Sequence, residues 1–313
     1  MKDPKDLRIV FFGTPDFAVA SLRALLDAGM NVVAAVTAPD KPAGRGQTLQ
    51  ESAVKRFAVE RGLQVLQPLK LKAPEFVEEL CALQADLHIV VAFRMLPEVV
   101  WNMPPLGTVN VHGSLLPQYR GAAPINWAII NGETETGVTT FQLQHEIDTG
   151  GILLQDKLVI GTDDTVGEVY SRLMEAGASL LVRTVEGLAS GTLQPQPQES
   201  FAAGELRHAP KIFKEDCKLD WSHSAESVRN RIRGLSPYPA AFTEIDGKGL
   251  RIFQSRVEAV ETGVAPGSYQ TDGKSFLRFA AANGWVYAED VQLDGKKRMP
   301  VADFLRGFRP ATT

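Results

Sequence analysis

Two hydrophobic periods alternate along the chain. Leu7–Phe12 is an apolar run that stops at Gly13-Thr14-Pro15. Phe17, Leu22, Leu25 and Leu26 then recur near helical spacing up to Gly29, and Val32–Val36 is a second unbroken run. Continuous runs of this length suit strands buried on both faces, and the wider spacing suits a helix with one buried side. Strand, helix, strand predicts parallel pairing through a right-handed crossover. The alternation continues with a helix near Glu51–Arg61, a strand at Gln64–Leu66, a helix near Pro74–Leu83, and strands at Leu87–Ala92 and Thr108–His112. Val138–Gln144 and Ile152–Ile160 read as strands suited to the antiparallel edge of a mixed sheet, and a helical pattern over Thr165–Leu188 closes the domain.

Gly191–Lys214 breaks the pattern. It holds Pro195, Pro197 and several glutamines with weak periodicity, and reads as a linker. Beyond it, a short helix near Ala225–Arg233 precedes strand-like segments at Leu250–Val257, Gly267–Gln270, Ser275–Ala280, Gly284–Leu293 and Arg298–Val301. Gly-rich and Asp-Gly turns separate them, which predicts a small β-barrel. The expected organisation is an α/β domain over residues 1–190 with a mostly parallel mixed sheet, a linker over 191–214, and a β domain over 215–313.

Composition narrows the setting. Cys81 and Cys217 are the only cysteines of 313 residues, which argues against a disulfide framework or a cysteine-built zinc site. The start, Met1-Lys2-Asp3-Pro4-Lys5-Asp6, has no apolar signal core, and no apolar run is long enough to span a bilayer. A reducing, cytoplasmic setting, no membrane partner and a monomer are expected. The net charge of −4 is uneven: Ala209 onward carries 16 basic and 13 acidic residues, against 17 and 24 before it. That balance hints at a polyanionic partner for the C-terminal part, with chance variation on solvated faces an equal alternative.

The candidate chemistry sits at one strand end. Asn110 and His112 are two apart at the end of the predicted strand Thr108–His112, so both project on one face. Open α/β sheets bind ligands at this carboxyl edge. A polar strand end satisfied by local hydrogen bonds is the competing reading. The long Gly/Pro-rich connection through Ser114, Leu115, Leu116, Pro117 and Tyr119–Pro124 favours function, because such loops often carry it. Asp148 precedes Thr149-Gly150-Gly151, which alone would read as an Asx turn. Thr37–Ser52 is a long connection expected to be mobile; its Lys41 and Arg45 suit either phosphate contacts or plain solvation. Gly13-Thr14-Pro15-Asp16-Phe17 lacks the G-x-G-x-x-G pattern, so a tight turn is favoured over a dinucleotide site. His88 reads as a core residue. His145, His208 and His223 have no companions that suggest a metal.

Several of these segments together resemble the 10-formyltetrahydrofolate-dependent formyltransferases, and among them the methionyl-tRNA formyltransferases. The resemblance runs nearly the full length, through Phe12–Ala18, Pro39–Gly46, Asn110–Pro117, Tyr119–Pro124, Asp148–Gly150, Leu219-Asp220-Trp221 and Ile232–Leu235. It implies a Rossmann-like formyltransferase domain followed by an OB-like barrel. It implies catalytic roles for Asn110, His112 and Asp148, and no metal. It places Phe93, Arg94, Leu96 and Ser114 to Pro117 at the folate site, and Lys41 and Arg45 against initiator methionyl-tRNA, with the basic C-terminal domain on the tRNA backbone. Arg94 and His145-Glu146 depart from the usual pattern at the folate contacts. A formyltransferase for a small amine such as a nucleotide sugar, a formyl-folate hydrolase and a non-catalytic binding module are the alternatives.

Overall fold

The computed structural model describes residues 3–43, 48–202 and 204–309. They form two compact units, each discontinuous in sequence: Met1–Arg120 with Gly137–Leu158 and Ser171–His208, and Gly121–Thr136 with Val159–Tyr170 and Ala209–Thr313.

The first unit is built on a seven-stranded sheet. Its order is Ile152–Val159, Glu135–Gln142, Thr108–His112, Leu87–Val91, Ile9–Gly13, Val32–Val36 and Gln64–Leu66. The last five of these pair in parallel, and Thr108–His112 meets Glu135–Gln142 antiparallel. The predicted mixed sheet is therefore present, with strand ends within a few residues of those expected. Ile9–Gly13 and Leu87–Val91 are buried at every position, as strands covered on both faces must be. Val10, Phe12, Val36 and Val90 pack with Leu71, Phe76, Leu80, Leu96 and Val100 in one core. Each such fully buried side chain contributes roughly 1.5–3 kcal/mol. Helix Asp16–Asp27 follows the first strand at once, with Pro15 at its cap position and Asp16 in its first turn. A Cβ on Gly13 would lie 2.5 Å from that of Ala18, so glycine lets strand and helix approach at this tight turn.

Two segments differ from the sequence-based expectation. In the long connection before helix Ala53–Glu60, Lys41–Ala43 pairs antiparallel with Thr48–Gln50. Its base is tied by Lys55, whose ammonium meets Asp40 and, at 2.9 Å, Glu51. These short arms lack an apolar alternation, so nothing marked them as strands. The segment expected as a linker adds to the sheet edge: Gln196 and Ile152 exchange both backbone hydrogen bonds at 2.8 Å.

In the second unit, strands pair antiparallel in the order Ala241–Ile245, Lys248–Glu258, Gly284–Leu293, Leu277–Ala281 and Tyr269–Thr271, with Met299–Pro300 beside Gly284–Leu293. Irregular register at Ile252, Gln254 and Ser255 bends the long strand, and the sheet curls into an OB-like half-barrel. Trp221 stacks on Phe279 at 4.7 Å and donates its indole N–H to Thr243 Oγ1 at 3.0 Å. Helix Ala225–Leu235, capped by Ser224, buries Val228, Ile232 and Leu235 against this core. The strand expected over Arg298–Val301 shrinks to Met299–Pro300. Pro300 has no N–H to extend the ladder, and it opens helix Val301–Gly307, which buries Phe304 and Leu305.

Candidate active site

The register Gly13↔Val91 and Val91↔Val111 lines up three parallel strand ends, and the site sits on the loops beyond them. Strand alternation puts Asn110 and His112 on one face, with Phe141 and Thr139 as their cross-strand partners. Leu116, Phe141 and Ile152 form an apolar floor, and the Phe141 ring meets the His112 ring edge-on at 6.4 Å.

His112 is buried, and its Nε2 lies 2.9 Å from the Tyr119 carbonyl oxygen. A carbonyl only accepts, so Nε2 carries hydrogen and donates. That leaves Nδ1, which faces Asp148 Oδ2 at 4.0 Å. The separation is too long for a direct hydrogen bond, yet short enough for the carboxylate to attract a protonated ring. Asn110 is half-buried, and its amide makes no hydrogen bond among the described residues. The arrangement supplies an uncommitted amide donor, an imidazole with one nitrogen fixed, and a carboxylate beside the other nitrogen. It can hold a carbonyl oxygen that gains charge and pass a proton on.

Both residues facing the imidazole have left-handed backbone: Tyr119 at φ 59° and Asp148 at φ 55°. Outside glycine such a conformation costs about 1–3 kcal/mol and persists where its surroundings enforce it. Around Asp148 they do. The Gln198 amide donates to the carbonyls of Asp148 and Gly150, both at 2.8 Å. A Cβ on Gly150 would collide with the Gln142 carbonyl oxygen, so the turn requires glycine there.

Comparison with known proteins decides the family. The family described as "Formyl transferase" matches residues 7–185, and "Formyl transferase, C-terminal domain" matches 211–309. A methionyl-tRNA formyltransferase of Parabacteroides distasonis is 58% identical over 313 residues, covering 97% of each chain. One from Bacteroides fragilis is 55% identical over 311 residues, covering 97% of this chain and 96% of the other. The chain belongs to the methionyl-tRNA formyltransferase family. Among solved structures, WlaRD, a sugar 3N-formyl transferase, superposes with a TM-score of 0.67 at 18% identity over 93% of this chain and 99% of that one. HypX from Aquifex aeolicus in complex with tetrahydrofolic acid gives 0.62 at 20% identity, over 97% and 48%. At that identity the likeness is one of fold.

In this formyltransferase the remaining sequence-predicted residues are placed as follows. The Arg94 guanidinium donates to the carbonyls of Pro68 and, at 3.0 Å, Leu69. Phe93 packs edge-on against Phe12 at 5.8 Å, and Leu96 is buried in the core. Ser114 donates its hydroxyl hydrogen to the Gln118 carbonyl at 2.6 Å. Leu116 is buried in the floor, the following Pro117 is buried, and the peptide bond between them is cis. Leu115 is half-buried. The Leu96, Ser114 and Leu116 side chains are thus committed within the protein. Lys41 is exposed on its hairpin, and Arg45 lies outside the described residues. Among the described residues no three His, Cys, Asp or Glu side chains gather as metal ligands, and no helix is long and apolar enough to cross a membrane. Tyr119 and Arg120 belong to the connection that the sequence marked as functional, but their individual contacts, like Gln198 itself, were not legible there. Gln198 carries no periodic signal, because its partners are backbone atoms of a loop far away in sequence.

Proposed function

We propose that this enzyme transfers the formyl group of 10-formyltetrahydrofolate to the α-amine of initiator methionyl-tRNA, in the cytoplasm and as a monomer. The observation that carries the reaction is the His112–Asp148 pair at 4.0 Å with Nε2 held by Tyr119. The amine attacks the formyl carbon directly, and the bond to N10 breaks as the tetrahedral oxyanion collapses. Asn110 donates to that oxyanion; one such donor is typically worth about 3–4 kcal/mol of barrier. His112, protonated, is the second donor and the proton source through Nδ1. Asp148 attracts the charged ring and orders the water that removes the amine proton.

The acceptor is argued from the relatives, which are named methionyl-tRNA formyltransferases and match both domains. The second unit adds support. A cavity of about 530 Å³ there is lined by Lys211, Lys214 and Arg251 beside Phe213 and Tyr238, the last 83% exposed. Cations interleaved with exposed rings suit a nucleic-acid backbone and its bases. Lys41 and Arg45 contact the acceptor end, and the loops carrying Phe93, Arg94, Leu96 and Ser114 to Pro117 border the folate. The test offers 10-formyltetrahydrofolate with initiator methionyl-tRNA, elongator methionyl-tRNA or a nucleotide-linked amino sugar. Transfer to the initiator tRNA in preference to the others is expected; preference for the sugar amine would refute the acceptor.

A further inference from the structure

The segment expected as a linker reaches the chemistry through one side chain. Gln198 is 1% exposed. Its Nε2 donates to the carbonyls of Asp148 and Gly150, and its Oε1 accepts from Arg120 Nε at 3.0 Å and Nη2 at 2.6 Å. Carbonyls only accept and a guanidinium only donates, so the orientation of the amide is forced and its bonding capacity is full. Arg120 directly follows Tyr119, whose carbonyl holds His112 Nε2. Tyr119 is itself fixed from the same segment, its N–H donating to the Arg207 carbonyl at 2.7 Å. An unbroken path of bonds therefore runs from the Asp148 backbone through Gln198, Arg120 and Tyr119 to His112. It brackets the 4.0 Å gap between Asp148 and His112 from both sides. Packing adds to it, since a Cβ on Gly151 would lie 2.7 Å from Pro195 Cβ.

We propose that Gln198 is a positioning residue for formyl transfer: its amide sets the separation of Asp148 from His112 by coupling the Asp148 loop to Arg120. The inference rests on the formyl-transfer reading of Asp148. The amide is buried and all of its hydrogen bonds are made within the protein, so its effect belongs to turnover and not to binding.

The experiment measures single-turnover and steady-state formylation of methionyl-tRNA by the full chain carrying Gln198→Ala, Gln198→Glu, Asp148→Ala, or Asp148→Ala with either Gln198 change. Gln198→Glu keeps an acceptor for Arg120 and loses both donors, so it covers the case in which Gln198→Ala fails to fold. Misplacing a reacting group by an ångström costs up to about 10²-fold, so kcat should fall roughly 10- to 100-fold with KM for both substrates within about twofold. In the Asp148→Ala background, where the group being positioned is gone, the same change should cost nothing further. An unchanged kcat in Gln198→Glu overturns the proposal. So does an equal loss in both backgrounds, which marks a purely structural role. If Asp148→Ala alone turns over normally, the reading of Asp148 fails, whatever Gln198 does.

Discussion

Truncating Asn110 tests the oxyanion assignment with little interference from folding. The amide is half-buried and makes no hydrogen bond among the described residues. Asn110→Ala therefore strands no protein partner, and the usual penalty for an orphaned buried group does not arise. On the proposed mechanism it removes a donor engaged only when charge develops on the formyl oxygen. That contribution, about 3–4 kcal/mol for a preorganised donor, converts to roughly 10²–10³ in kcat at 1.36 kcal/mol per decade. Because the interaction is absent from the ground state, kcat and kcat/KM should fall together while KM stays near its original value. Asn110→Asp should fall further, since a carboxylate places negative charge where the oxyanion forms. The assay is initial-rate formylation at saturating folate and tRNA, with the thermal midpoint measured on the same preparations. A kcat within fivefold of the original at an unchanged midpoint would refute the assignment. So would a loss confined to KM, which would mark Asn110 as a substrate-binding group.

Three further outcomes are expected. His88 is fully buried with neither ring nitrogen hydrogen-bonded among the described residues; burial pushes its pKa down from 6.5 to about 4, opposed in part by the Val100 backbone. The folded pKa lies below the unfolded one, so the stabilisation is complete above pH 6.5 and is lost as pH falls towards 4, by about 3 kcal/mol in all. His88→Leu should abolish that part of the acid sensitivity in urea unfolding; an identical pH dependence in the variant would show that another group is responsible. Gly150→Ala drives a Cβ into the Gln142 carbonyl and must displace the Asp148 turn, so kcat should drop by about 10²-fold with a lower thermal midpoint; full turnover would mean that the turn is not held as described. Lys55→Met loosens the base of the Lys41–Ala43 hairpin by removing the cation shared by Asp40 and Glu51, leaving Asp40 only the Gln67 amide at 2.8 Å among the described residues. KM for methionyl-tRNA should then rise about threefold or more with KM for the folate unchanged, and an equal rise in both would detach this hairpin from tRNA binding.

What could be seen in the sequence follows from what repeats. The strands at Ile9–Gly13, Val32–Val36 and Leu87–Val91 stood out because burial on both faces demands unbroken apolar runs. Asn110 and His112 stood out because a strand has period two, and two polar residues on one face at its end are conspicuous. Asp148 had no such mark. Its nearness to His112 arises from a left-handed turn and a tertiary contact, and only the family resemblance joined the two before the structure did. The hairpin arm at Lys41 and the helix at Val301–Gly307 were missed because they are too short to display a period. Gln198 was missed for a deeper reason. The proposed direct transfer, which acylates no side chain, depends on where an amide, an imidazole and a carboxylate stand. In this protein those places are set by polar side chains bonded to loop carbonyls: Gln198 on Asp148 and Gly150, and His112 on Tyr119. Hydrophobic patterning encodes which face is buried and is silent about such bonds. Gln198 accordingly lies where the sequence looks least structured, in a proline-flanked run of glutamines.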